Sequence, residues 1–173
     1  MTGPKSSEQQ DDPDMPFVYL NITDTLARLT DKHIATIMHV YNNFMNEFDW
    51  FLYANDDTYI AMENLKYFVK DKCPNEGKLY GKVMKHPDSN KIHFKSGENS
   101  RGFIQGGSGW LSSHEAIKRF GEAMKKDSRF CVCGNGALED QEISNCYRKV
   151  DVYPGESRDD ENKERFFMDT FAE

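Results

Sequence analysis

Phe48-Asp49-Trp50-Phe51-Leu52-Tyr53-Ala54, followed at once by Asn55-Asp56-Asp57-Thr58, is the stretch on which the fold turns. A short, aromatic, nearly unbroken apolar run reads as a buried strand of a sheet covered on both faces. It stops at the acidic turn, and Ile60, Ala61, Asn64, Leu65, Phe68 and Val69 then recur at helical spacing, with Thr58 placed to cap that helix. Open α/β sheets bind ligands beyond the carboxyl ends of their strands, where Asp56 and Asp57 stand. Hard cations such as Mg²⁺ and Mn²⁺ take one or two carboxylates together with substrate phosphates, so the pair suits a metal-bound nucleotide diphosphate. The same acids also suit a plain turn and a helix start.

The pattern continues on both sides. Phe17-Val18-Tyr19-Leu20 is a short apolar run, and Thr30 or Asp31 opens a helix with Ile34, Ile37, Met38, Tyr41, Met45 and Phe48 on one stripe. His33 and His39 in this segment read as packing or surface histidines rather than ligands. Downstream, 78–83 and 91–94 read as strands, and Gly102 to Leu111 is apolar and rich in glycine. Ser112-Ser113-His114-Glu115 has capping-box spacing and leads a helix through Ala116, Ile117, Phe120 and Met124. Residues 131–136 read as a loop, 137–150 as a helix and 152–155 as a strand and turn. Strands alternating with helices predict an α/β layered fold without internal repeats.

The chain has 173 residues, enough for one domain burying roughly 70% of its unfolded surface. With 38% hydrophobic and 13% aromatic residues it is not a disordered chain. Mean hydropathy is −0.78, and no long apolar run predicts a membrane span. The polar, acidic first residues do not resemble a signal peptide. The net charge of −7 is concentrated at the ends: residues 1–16 carry −3, residues 156–173 carry −4, and 17–155 is neutral. Binding of a nucleic-acid backbone is therefore not expected. The acidic ends read as solvated tails, an acidic tail or loop at 1–16 and an acidic C-terminal segment at 156–173, around a domain at 17–155.

Two more features can carry chemistry. Gly106-Gly107-Ser108-Gly109-Trp110 would let backbone approach a ligand closely, with Trp110 available to stack on a sugar ring. In Glu139-Asp140-Gln141-Glu142 a carboxylate facing a substrate hydroxyl would serve as a general base. A tight turn beside a core tryptophan, and acids favoured at a helix N-terminus, account for the same residues. The four cysteines, Cys73, Cys131, Cys133 and Cys146, make no zinc or C-x-x-C redox pattern. Asn21-Ile22-Thr23 is a glycosylation sequon.

Together and in order these segments resemble one family. Asp49 to Tyr59 is similar to the D-W-F-L-x-A-D-D-D-T-Y segment of the core 1 β1,3-galactosyltransferases, relatives of Fringe, and Glu63-Asn64-Leu65 continues the likeness. Gly106 to Ser112 resembles G-G-x-G-[YW]-x-x-S, and Leu138-Glu139-Asp140 resembles the family's hydrophobic-E-D segment. Gly155-Glu156-Ser157-Arg158-Asp159 resembles G-[DE]-S-R-D. The four motifs extend over about residues 17–167.

The resemblance implies a GT-A fold, Rossmann-like, lacking here its first strand and helix. It implies an inverting transfer of galactose from UDP-galactose to O-linked GalNAc on Ser or Thr of a glycoprotein, with Mn²⁺ as cofactor. It also implies a type II membrane protein of the Golgi, luminal side, and suggests a homodimer. Carried onto this chain, Asp57 and Asp56 would serve the metal and Asp140 would be the base. Asn55, Asp56, Gly106 and Gly107 would line the nucleotide-sugar site, and Trp110 and Glu139 the acceptor site. A luminal address would pair Cys146 with Cys131 or Cys133 and glycosylate Asn21. Three departures stand out. Asn55 replaces the first acid of the family's triplet, keeping an acceptor oxygen but not the charge. Arg165-Phe166-Phe167-Met168 lacks the histidine of the family's F-H-P-F-like segment, so a third metal ligand is missing. Met1 falls inside the family domain, so a fragment, short isoform or incomplete gene product is expected. Against catalysis stands a non-catalytic relative, a chaperone-like or glycan-binding module that kept the fold, or a truncated product with no stable fold.

Overall fold

The computed structural model describes Lys5, 17–85, 102–131 and 138–167. The expected strand at 91–94 and most of the loop at 131–136 lie outside these residues, as do Met168 and, apart from Lys5, the residues of the N-terminal tail. Helix α1 (Leu29–Asn43) follows one 3₁₀ turn and leads to strand β1 (Trp50–Tyr53). Then come α2 (Met62–Val69), β2 (Lys78–Tyr80), β3 (Val83–Lys85) and β4 (Gly102–Ile104). A 3₁₀ turn at Gly106–Ser108 precedes β5 (Trp110–Ser113), α3 (His114–Lys126), α4 (Glu139–Arg148) and β6 (Tyr153–Pro154).

Four strands form a mixed sheet in the order β1-β5-β2-β6. β5 runs antiparallel to β1 and to β2, and β2 runs parallel to β6. β3 and β4 form a separate antiparallel pair. This mixed α/β architecture is consistent with a Fringe-like GT-A fold.

Alternation along each strand divides the apolar residues between two layers. Phe51, Tyr53, Leu79 and Trp110 face a core built with Ile37, Ile117, Phe120, Ile143 and Tyr147 of α1, α3 and α4. Trp50, Leu52, Tyr80 and Leu111 face the other way, onto Leu65, Phe68 and Val69 of α2 and onto Phe166. The sheet is thus covered on both faces, as the unbroken apolar run of β1 requires. β1 itself is only half-buried because it ends the described sheet, whereas all four residues of β5, between two strands, are buried.

Three sequence expectations need correction. Thr58 does not cap α2. Its N–H donates to Asn55 O (3.2 Å), closing the acidic turn, and the helix starts only at Met62. The strand expected at 78–83 is broken at Gly81-Lys82. There Gly81 O accepts from the buried Ser157 Oγ (2.9 Å) and Lys82 N–H donates to Ser108 Oγ (3.3 Å), so side chains take up the groups a strand partner would use. Finally, residue 156 does not begin a solvated tail. Ser157 and Phe166 are buried, and Lys82 Nζ meets Glu164 Oε1 at 2.9 Å.

One feature is legible and local. Ser113 caps α3, its Oγ accepting from Ala116 N–H (3.1 Å). The same oxygen accepts from Lys78 N–H (3.1 Å) and donates to Glu76 O (2.6 Å), tying β5, α3 and β2 at a fully buried point. Cys131 and Cys146 are joined in a disulfide that ties the segment after α3 to α4, and Cys73 is an exposed free thiol. Ser113→Ala leaves two buried N–H groups without an acceptor, and is expected to lower stability by about 3 kcal/mol. Urea unfolding checks this as a lower midpoint at unchanged slope, and a shift below about 0.5 kcal/mol contradicts it.

Candidate functional site

The acidic turn, the glycine turn and the first turn of α4 meet around Gly106–Gly109. Gly109 has φ 81°, a left-handed backbone that disfavours any side chain, and a Cβ there would stand 3.4 Å from Tyr53 O. That conformation lets Trp110 enter β5 opposite Tyr53, the last residue of β1. Thr58 Oγ1 donates to Gly107 O (3.4 Å), joining the acidic turn to the glycine turn. On the other side, Gly106 packs on α4. A Cβ at Gly106 would come within 3.2 Å of Glu139 Oε2 and 3.9 Å of the Asp140 Cβ.

Asp57 and Gly107 line an open cleft of about 930 Å³. Its walls include Leu52, Tyr59, Leu65 and Phe68 on the β1–α2 side, and Asp159, Glu164, Arg165 and Phe166 from the C-terminal segment. Tyr59 is 86% exposed and Phe167 54%, so aromatic faces stand open at the rim. Asn55 and Asp56 are exposed but do not line the cleft. Glu139 and Asp140 lie across the glycine turn from it, beside Gly106. Asn21 is exposed.

The cleft offers Asp57, Asp159 and Glu164 as carboxylate oxygens. Among the described residues no three His, Cys, Asp or Glu side chains gather closely enough to hold a metal by themselves. Carboxylate oxygens are the donors a hard cation takes together with substrate phosphates.

Burial pushes the Asp140 carboxyl above its ordinary value, and the Glu139 charge adds to the rise. The N–H groups of Gln141 (2.8 Å) and Gly106 oppose it. Glu139 turns inward, its side chain 9% exposed, and is hydrogen-bonded to Nδ1 of His33. Trp110, expected to stack on a sugar, is a core residue at 1% exposure because β5 is the interior strand, and its ring meets the edge of His33 at 5.0 Å. The sequence did not single out His33, Tyr53, Thr30 or Glu142 as part of this cluster. The cleft residues Tyr59, Glu164 and Arg165 were also missed as walls. The available signal was a histidine on the apolar side of α1, which announces burial but not its partner.

A Fringe-like family model matches residues 10–150. The chain belongs to the Fringe-like family. It is 31% identical over 156 residues to the glycoprotein-N-acetylgalactosamine 3-beta-galactosyltransferase 1 of Xenopus laevis, which covers 90% of this chain and 39% of that protein. It is 24% identical to chondroitin sulfate synthase 3 of Mus musculus over 152 residues and to that of Homo sapiens over 146. Those matches cover 84% and 81% of this chain and 16% and 15% of the synthases. This Fringe-like chain therefore spans well under half the length of each of these relatives. No helix among the described residues is long and apolar enough to cross a membrane.

Burial, and secondly the charge of Glu139, raise the Tyr53 phenol from 10.0 to about 12. A folded pKa above the unfolded one means that the neutral phenol's stabilisation is fully present below pH 10 and is lost as pH rises through about 12. Ultraviolet titration is expected to show one tyrosine with that late midpoint, ahead of the fully buried Tyr147, whose phenol burial raises further, and Glu139→Gln is expected to move the earlier midpoint part of the way back. An unmoved midpoint contradicts the Glu139 contribution.

Proposed function

We propose that this Fringe-like chain is an inverting glycosyltransferase, or the central piece of one, moving galactose from UDP-galactose to O-linked GalNAc on a glycoprotein. The observation that carries the reading is the meeting of three motifs at one glycine turn: Asp57 on the cleft side, Gly106–Gly107 between, and Asp140 on the α4 side. The name of the Xenopus relative favours galactose and N-acetylgalactosamine over other sugars.

In this reading the cleft takes the nucleotide sugar. Asp57, the acid of the pair that lines the cleft, would hold Mn²⁺, which when bound supplies positive charge at the leaving diphosphate. Tyr59 and Phe166 offer apolar and aromatic surface to the donor. Asp140 takes the proton of the acceptor hydroxyl. The freed oxygen bonds to the anomeric carbon on the face opposite the diphosphate, the bond from that carbon to the diphosphate oxygen breaks, and UDP leaves with the configuration inverted. A carboxylate whose pKa is raised by burial is a better proton acceptor than an exposed one. The Cys131–Cys146 disulfide and the exposed Asn21 sequon favour an oxidising, luminal compartment such as the Golgi.

Asn55 in the acidic turn, and Phe166-Phe167 where a nitrogen ligand is expected, favour a second reading, a glycan-binding relative without catalysis. Incubation with UDP-galactose, Mn²⁺ and a GalNAc-bearing glycopeptide, read by mass spectrometry, separates the two. Transfer is expected, with kcat falling about 10²–10⁴-fold in Asp140→Asn at unchanged donor affinity. Glycopeptide binding without transfer supports the second reading, and transfer untouched by Asp140→Asn removes Asp140 as the base.

A further inference from the structure

We propose that His33 is a positioning residue for the candidate site, setting Asp140 against the glycine turn. This rests on the reading of Asp140 as the base. His33 lies on α1, far in sequence from every motif, and is 3% exposed. Its ring stacks on Tyr53, with centroids 3.9 Å apart and planes 8° from parallel. Tyr53 ends β1 two residues before the acidic turn and pairs with Trp110, the first residue after the glycine turn. The edge of His33 meets Trp110, and its Nδ1 is hydrogen-bonded to Glu139. A carboxylate only accepts, so the proton of that bond sits on Nδ1. One imidazole therefore touches the strand that leads to the acids, the strand that leaves the glycines, and the residue before Asp140.

Glu139 opens α4, so holding it inward fixes the rotation of the helix's first turn. Asp140, the next residue, then lies against Gly106, where an added Cβ would stand 3.9 Å from the Asp140 Cβ. Thr30, one turn earlier on α1, donates to Glu142 Oε2 at 2.9 Å and gives the first turn of α4 a second anchor. Two anchors on one helical turn leave it little freedom to roll. Displacing a reacting group by about 1 Å can slow a reaction by about 10²-fold.

His33→Phe keeps an aromatic ring against Tyr53 and deletes the donor to Glu139. In the full chain it is expected to lower kcat about 10²-fold while the KM for UDP-galactose stays within about threefold. His33→Asn restores a donor near the place of Nδ1 and is expected to recover most of kcat. A second readout needs no turnover: the amide resonance of Gly106 is sensitive to the Asp140 carboxylate beside it. It is expected to move in His33→Phe in the same direction as in Asp140→Ala, and to stay near the wild-type position in His33→Asn. If His33→Phe does not fold, Glu139→Leu removes the same bond from the α4 side and is expected to give the same two effects. A wild-type chain without turnover overturns the transferase reading alone, and the Gly106 amide then decides the role of His33. An unmoved Gly106 amide in His33→Phe, or a kcat that His33→Asn fails to restore, overturns the proposal.

Discussion

Gly109 holds a backbone that other residues adopt only under strain, and the rest of the site depends on it. With φ at 81° the chain turns sharply from Gly106–Ser108 into β5, close enough to Tyr53 that a side chain would press on its carbonyl. From that turn three connections radiate: Trp110 pairs with Tyr53, Gly107 accepts from Thr58, and Gly106 packs against Glu139 and Asp140. The acidic turn and the start of α4 are 83 residues apart in the chain, from Asp57 to Asp140. They are neighbours of one short segment in space.

The two-layer core makes that segment rigid. Trp110 and Leu111 are consecutive in β5 and anchor in opposite layers, Trp110 with α1, α3 and α4 and Leu111 with α2 and Phe166. A slip of one residue would exchange them, which both packed layers forbid. Ser113 at the other end of the strand fixes α3 and β2 through one hydroxyl. The interior strand thus holds the glycine turn at one end and a helix start at the other. The C-terminal segment closes the second layer with Phe166, so its charge decorates a packed stretch of chain.

What was legible in the sequence was local or periodic. The apolar run of β1, the Ser113 cap and the stripe of α1 each rest on residues within a few positions of one another, and all are present, except that α1 ends at Asn43, before Met45 and the exposed Phe48 of the expected stripe. The order of motifs carried the family. What was not legible depended on distant partners. His33 reads as a packing or surface histidine from its own helix; it is buried, and its hydrogen-bonding partner Glu139 lies 106 residues away. Thr58 looks like a cap because threonine before a helical stripe commonly is one, yet Asn55 and Gly107 claim its groups first. The break at Gly81-Lys82 is invisible locally, since Ser157 and Ser108 cause it. The family resemblance left Cys131 and Cys133 open as partners of Cys146, and the structure joins Cys131 to it, tying the segment after α3 to α4. Trp110 looked like a sugar platform because glycines flank it, whereas its strand lies inside the sheet.

The central claim is that the cleft beside Asp57 binds a nucleotide diphosphate together with a divalent cation. A thermal melt of the chain, alone, with Mn²⁺, with UDP and with both, tests it most directly. A ligand bound only by the folded state adds about 2.7 kcal/mol of stability at a hundred times its dissociation constant. Because the described carboxylates are too few to hold the cation alone, the account predicts a cooperative melt whose midpoint rises only when Mn²⁺ and UDP are present together. A cooperative melt that the pair leaves unmoved would contradict it.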